Sequence, residues 1–167
     1  MEFFTVKSAY WLGMRGRIGQ QGDLWRQIWT LNAPPKLCHF AWRACNNTLA
    51  VRAYLWRRHI IDDASCAVCG AAIEDVVHAL LECNTIQEVW NGFKYMDIIN
   101  NAIGNDGQRN LDTILQLFDA QEKCDFLVRA WATWIVRNSH YFEESPALPL
   151  QVVVGFLRLV DDYRTYA

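Results

Sequence analysis

The stretch Cys66-Ala67-Val68-Cys69-Gly70-Ala71-Ala72-Ile73-Glu74-Asp75-Val76-Val77-His78-Ala79-Leu80-Leu81-Glu82-Cys83 decides how the rest of the chain is read. A Cys-x2-Cys hairpin sets two thiolates on the same side of a tight turn. Gly70 follows the second Cys, where such a turn often needs positive φ. Glu74 and Asp75 suit the first turn of a helix, near its positive end, and His78 would project from that helix. His78 and Cys83 lie five positions apart, about 140° around an ideal helix. Both reach one ion only if the helix ends before Cys83, and Asn84 is consistent with such an end. Three thiolates and one imidazole, from Cys66, Cys69, His78 and Cys83, suit tetrahedral zinc far better than magnesium or calcium. All four positions are filled by protein, so the expected zinc is single and structural, with no place for water or substrate. Ligation leaves the centre at about −1, which discourages activation of a water nucleophile. Glu74 and Glu82 flank His78 at i−4 and i+4. Either is a candidate to accept the second imidazole N–H and fix the tautomer. The competing readings are a buried thiol pair with an unrelated His, and a redox Cys-x-x-Cys. The latter wants a βαβ context that the sequence does not offer.

Outward from this cluster, apolar residues recur mostly at helical spacing. Asp23 can cap a helix carrying Leu24, Ile28 and Leu31, and Pro34-Pro35 can open another with Leu37, Phe40, Ala41 and Ala44 on its apolar face. A third is expected through Leu49, Ala53 and Trp56, and a fourth through Ile86, Val89, Trp90 and Phe93. Asp112 to Leu117 is expected to extend through Lys123 to Phe142, and a last helix to run from Leu148 to Tyr163, although Val152-Val153-Val154 is β-branched. Phe3 to Val6 is a candidate short strand. Loop signals fall at Gly13 to Gly22, Asn100 to Asn110 and Ser145 to Pro149. The predicted fold is mainly α: a small zinc-stabilised helical domain over 1–98, a loop or linker over 99–111, and a helical extension over 112–167.

The chain has 167 residues, 52% of them hydrophobic and 20% charged, with eight Trp, eight Phe and six Tyr. That much apolar material argues against a disordered tail. No apolar run approaches the length of a membrane span, and the first residues lack the features of a secretory signal. A soluble, intracellular protein is expected, with nucleus and cytoplasm not distinguished. In that reducing setting the six Cys read as thiols or metal ligands rather than disulfides. Charge is unevenly spread. Residues 1–60 hold nine Lys/Arg against two acids, whereas residues 61–167 hold seven against sixteen. The first third is therefore the only plausible docking surface for phosphate, unless the two halves simply neutralise each other. Lys36, Arg43, Arg52, Arg57 and Arg58 are the candidate nucleic-acid contacts. Trp42, Tyr54 and Trp56 are candidate stacking groups if exposed, core residues otherwise. Cys38, Cys45 and Cys124 read as buried small hydrophobes.

The ordered set Phe4-Thr5-Val6-Lys7-Ser8-Ala9-Tyr10, Trp25-Arg26-Gln27-Ile28-Trp29, Pro34-Pro35-Lys36, Phe40-Ala41-Trp42-Arg43, Leu49, Arg58, the four ligands and Val89-Trp90 resembles the zinc-binding domain of plant non-LTR (LINE-type) retrotransposon reverse transcriptases. A second stretch, Trp131-Ala132-Thr133-Trp134 with Arg137-Asn138 and Phe142, resembles the segment preceding RNase H in such polyproteins. The chain departs from the family at Leu49-Ala50-Val51, where a Leu-Pro-Thr turn is usual, and at Asp75 and Asn84. None of these removes a ligand. The resemblance implies zinc, RNA or DNA as partner, and polymerase or RNase H domains of a parent polyprotein as neighbours.

The residues do not imply polymerase or RNase H activity. Two-metal polymerase chemistry needs carboxylates from separate positions within a palm that grips the template. Val160-Asp161-Asp162 matches the Asp-Asp pair only in letters and reads as an acidic helix end. No Ser-His-Asp order, phosphate-binding Gly loop or H-E-x-x-H is present. No membrane and no small-molecule substrate is expected. The sequence therefore points to a noncatalytic zinc module contacting RNA or DNA through its basic N-terminal part. The alternatives are a protein-docking scaffold and a transposon remnant without selected function.

Overall fold

Asp119 starts the longest helix among the described residues. Its carboxylate accepts the Glu122 N–H at 2.9 Å, and the Glu122 carboxylate accepts the Asp119 N–H at 3.0 Å. This reciprocal capping box satisfies two of the donors that a helix start leaves open. Ala120–Phe142 follows as one helix of 23 residues. It buries Cys124, Phe126, Leu127, Val128, Ala130, Ala132 and Val136, which is more than one face, and so it must be covered from several sides.

The computed structural model of the protein describes residues 18–106 and 110–166. Among them all regular elements are helical. In order they are α1 (Ile18–Trp29), α2 (Pro35–Cys45), α3 (Arg52–Arg57), a π-helical turn (His78–Glu82), a 3-10 helix (Asn84–Trp90), α4 (Met96–Asp106), α5 (Leu111–Leu115), α6 (Ala120–Phe142) and α7 (Pro149–Tyr166). α2, α7, the π-helical turn and the 3-10 helix all pack on α6. The expected strand at Phe3 to Val6 lies outside the described residues.

α2 forms as its periodicity predicts. Pro35 occupies the first turn, where its missing N–H costs nothing, and Leu37, Phe40, Ala41 and Ala44 are all buried. The expected helix through Leu49 is shorter, starting only at Arg52. The helix expected after Asn84 is of the tighter 3-10 type. The helix expected to run unbroken from Asp112 to Phe142 is two helices, because the Asp119 cap starts a new one and the chain turns at Gln116–Phe118. Phe118 there packs with Phe93, Tyr95 and Phe126 at ring separations of 6.3, 5.5 and 5.5 Å.

The stretch 99–111, expected to be a loop, is largely helix: α4 continues to Asp106 and α5 begins at Leu111. Met96, Ile99 and Ile103 recur at i, i+3 and i+7, and Ile99 is fully buried. This apolar stripe outweighs the loop-forming Asn100 and Asn101, which stay exposed. Nor does packing divide near residue 98. One core runs from Leu24 to Val160. Trp90 meets Phe126 at 5.4 Å, and Arg129 Nη1 donates to the carbonyls of Val89 at 2.6 Å and Asn91 at 3.3 Å. Trp131 stacks on Phe156 at 4.1 Å to hold α7 on α6. Arg164 Nε donates to the Asn32 carbonyl at 3.1 Å at the far end of α7. No helix among the described residues is long and apolar enough to cross a membrane.

Candidate metal centre

The hairpin that carries the first two thiols is closed by backbone bonds. Gly70 N–H donates to Cys66 O at 2.8 Å, and Cys66 N–H donates to Ala71 O at 2.8 Å. Gly70 takes φ +78°, the left-handed conformation that this closure requires. Upstream, Asp63 Oδ1 accepts the Ser65 N–H at 2.9 Å and fixes the approach to Cys66. The Ser65 hydroxyl and N–H, with Arg52 assisting, hold the Asp63 carboxyl below the usual carboxylate range.

The second half of the cluster rests on an unusual helix. Asp75 Oδ1 accepts the His78 N–H at 2.7 Å, as an N-terminal cap does. The turn then widens: Cys83 N–H donates to His78 O at 3.0 Å, an i→i−5 bond. Cys83 itself leaves the helix with φ −63° and ψ 123°. Two devices therefore bring His78 and Cys83 together. The helix ends before Cys83, as the sequence requires, and its last turn is wider than an α-turn, so positions five apart nearly overlie.

The ligand atoms of Cys66, Cys69, His78 and Cys83 all lie within 4.8 Å of one another. His78 Nε2 is 3.3 Å from Cys69 Sγ. In a zinc tetrahedron with ordinary bond lengths, neighbouring ligand atoms are about 3.5–3.8 Å apart. The donor set therefore suits one zinc ion after shifts of about an ångström. Cys66, His78 and Cys83 are buried and Cys69 is half-buried. Burial pushes the Cys66 thiol up and Cys83 up to about 12. Burial would raise Cys69 as well, but the Ala71 N–H and the neighbouring Cys66 and Cys83 thiols outweigh it and leave Cys69 below its ordinary value. Gathering three thiolates here without a cation is costly, and a divalent ion offsets that cost.

His78 Nδ1 faces Glu82 Oε2 at 4.0 Å. Of the two carboxylates expected beside the imidazole, Glu82 is the one placed there. Glu74 is engaged elsewhere, because both of its oxygens already have donors. It is wholly buried and forms an ion pair with Arg137 Nη2. It also accepts the Arg52 N–H at 3.0 Å and the Tyr141 hydroxyl at 2.7 Å. Tyr141 in turn accepts the Ala67 N–H at 3.2 Å, inside the Cys-x2-Cys hairpin. Arg137 lies over the rings of Tyr141 and Trp134, at 4.0 and 4.9 Å. Sequence reasoning does not find Arg137 or Tyr141 as neighbours of the metal cluster. They stand 63 and 67 positions from Glu74, and no local spacing signals a contact of that range.

The candidate nucleic-acid contacts divide. Arg52 is half-buried and pairs with Asp63 at 3.3 Å. Lys36, Arg43, Arg57 and Arg58 are exposed. Arg43 Nη2 reaches the Thr48 carbonyl at 3.4 Å, and the Arg57 guanidinium lies over the Tyr54 ring at 5.7 Å. Trp42 and Tyr54 are half-buried against the core, whereas Trp56 is exposed. Cys38, Cys45 and Cys124 are buried free thiols. Burial pushes all three above the ordinary thiol value. Asp161 and Asp162 are exposed on α7.

A family model described as zinc-binding in reverse transcriptase matches residues 4–90 of this chain. No curated protein and no solved structure matches it.

Proposed function

Because the chain belongs to the family of zinc-binding domains in reverse transcriptases, we propose that it is a noncatalytic module that holds one structural zinc ion and contacts RNA or DNA through a basic surface. Cys66, Cys69, His78 and Cys83 are the zinc ligands in this reading. Four protein donors complete a tetrahedron, so the ion holds the fold together and does not present a reactive position. Lys36, Arg43, Arg57 and Arg58 supply the phosphate contacts, with Trp56 as a stacking surface. Arg52 is left out of this set because its guanidinium already pairs with Asp63. The origin that fits the sequence resemblance is a plant LINE-type retroelement, in which the module would help a polymerase hold its template or target.

One observation carries the nucleic-acid part. Lys36, Arg43, Arg57 and Arg58 are exposed, and none of them pairs with a carboxylate among the described residues. A second reading, a protein-docking scaffold, is favoured by the exposed apolar face of α7 at Leu150, Val154 and Leu157.

Two measurements on one preparation test the proposal. Metal analysis should find one zinc per chain, and chelation should lower the melting temperature. Binding of a labelled single-stranded oligonucleotide should weaken as salt rises, with a log–log slope of about −0.7 per neutralised phosphate. The pair Arg57→Ala and Arg58→Ala should make that slope shallower, by about 0.7 for each arginine that touches a phosphate. No zinc would remove the metal reading. Salt-independent binding, or none, would remove the nucleic-acid reading and leave the scaffold.

A further inference from the structure

The Tyr141 hydroxyl stands between a buried carboxylate and the loop that joins two candidate zinc ligands. An ionised carboxylate only accepts hydrogen bonds, so the phenol must give its single proton to Glu74. That fixes its other role: a lone pair is left for Ala67, whose N–H reaches it at 3.2 Å. Ala67 is the first residue between Cys66 and Cys69. From the geometry we infer that Tyr141 is a positioning residue for the metal cluster. Through Glu74 and Arg137, it makes the last turns of α6 part of the zinc site. The inference rests on the reading that Cys66, Cys69, His78 and Cys83 hold zinc.

Several bonds meet at Glu74. Its N–H donates to Ala64 O at 2.9 Å and its carbonyl accepts the Ala53 N–H at 3.0 Å. Its carboxylate binds the first residue of α3, Arg52, at the backbone N–H. The approach to the hairpin, the start of α3 and the end of α6 are thereby held to one buried group. Arg137 neutralises that group, and its guanidinium packs on the Tyr141 ring at 4.0 Å, which restricts how the phenol can turn. A metal site needs its donors held to within about 0.5 Å. The Ala67 N–H ties the hairpin to a distant element, and the group that receives it belongs to residue 141. The family model stops at residue 90, so the metal site of this chain depends on residues well beyond the matched segment.

Removal of a group that orients metal ligands typically lowers metal affinity about 10–100-fold. The test uses the full chain. Zinc affinity is measured by competition with a chromophoric chelator, and ligand geometry by the visible and thiolate charge-transfer bands of the cobalt-substituted protein. Tyr141→Phe keeps the ring and deletes only the hydroxyl. It should lower zinc affinity at least tenfold and shift the cobalt bands, with the helical circular dichroism of the zinc-saturated protein unchanged. Glu144→Gln, at an exposed position nearby, should leave both readouts as in the parent chain. If Tyr141→Phe binds zinc within about twofold of the parent and gives the same cobalt spectrum, the inference is overturned. If Tyr141→Phe fails to fold, the parent chain supplies the second measurement. Zinc removal should speed exchange of the Ala67 amide and move the Tyr141 ring resonances, and invariance of both would overturn the inference. A parent chain that takes up no zinc overturns instead the reading beneath it, so the two failures are distinguishable.

Discussion

Arg137 and Glu74 form an ion pair from which water is excluded at both ends, with residue exposures of 4% and 0%. Removing one partner of such a pair leaves a buried charge without its counterpart. Arg137→Met should therefore destabilise the protein by about 3 kcal/mol. The double variant Glu74→Leu with Arg137→Met should recover part of that loss. Chemical denaturation of both variants under saturating zinc checks the prediction, and a strictly additive double variant would contradict it.

Gly70 makes a separate prediction. Its φ of +78° disfavours any residue with a Cβ, yet nothing lies within 4 Å of where that Cβ would stand. The expected cost of Gly70→Ala is thus backbone strain alone, about 1–2 kcal/mol, without a steric clash. Because the strain falls on the turn between Cys69 and Ala71, it should show as weaker zinc retention as well as a lower melting temperature. A thermal melt of Gly70→Ala beside the parent chain, with and without chelator, checks both.

The Tyr141 phenol gives a pH dependence with a definite sign. Burial, then the hydrogen bond to and charge of Glu74, push its ionisation well above the ordinary value near 10. Because the folded value is raised, the stabilisation is complete below the unfolded pKa and is lost as pH rises through the folded value. Stability should therefore fall on the alkaline side. In a spectrophotometric titration Tyr141 should stay neutral beyond the pH range in which an ordinary phenol ionises. Its step should coincide with loss of helical circular dichroism. Ionisation of all six tyrosines in one step with the helices intact would contradict this.

Much of the fold is legible in the sequence wherever a local rule sets the structure. Leu37, Phe40, Ala41 and Ala44 mark the buried face of α2, because a helix repeats its faces at fixed spacing. The Cys3His cluster of Cys66, Cys69, His78 and Cys83 is legible because the chemistry of metal binding constrains the spacing of its donors. Asp119 is hard to read as a cap, because the apolar period runs straight through it. The α4 stripe of Met96, Ile99 and Ile103 is obscured by Asn100 and Asn101. Glu74 reads as a partner of His78 only on the assumption that a helix already spans both, since i−4 is a neighbour only within a helix. The helix starts at Val76, so Glu74 lies before it and turns toward Arg137. Contacts such as Tyr141 with Ala67 span 74 positions and depend on how whole helices stack.

The π-helical turn from His78 to Glu82 makes the site sensitive to length in a way that single-residue substitution scans do not register. Ala79, Leu80 and Leu81 are buried, and side chains of similar volume could replace them while both flanking ligands stay in place. Inserting a residue among these three would change the count, and each helical residue accounts for about 100° of rotation. Cys83 would then swing away from the other three donors although every ligand was still encoded. Across related sequences, insertions should therefore be far rarer between this histidine and the following cysteine than amino-acid replacements are.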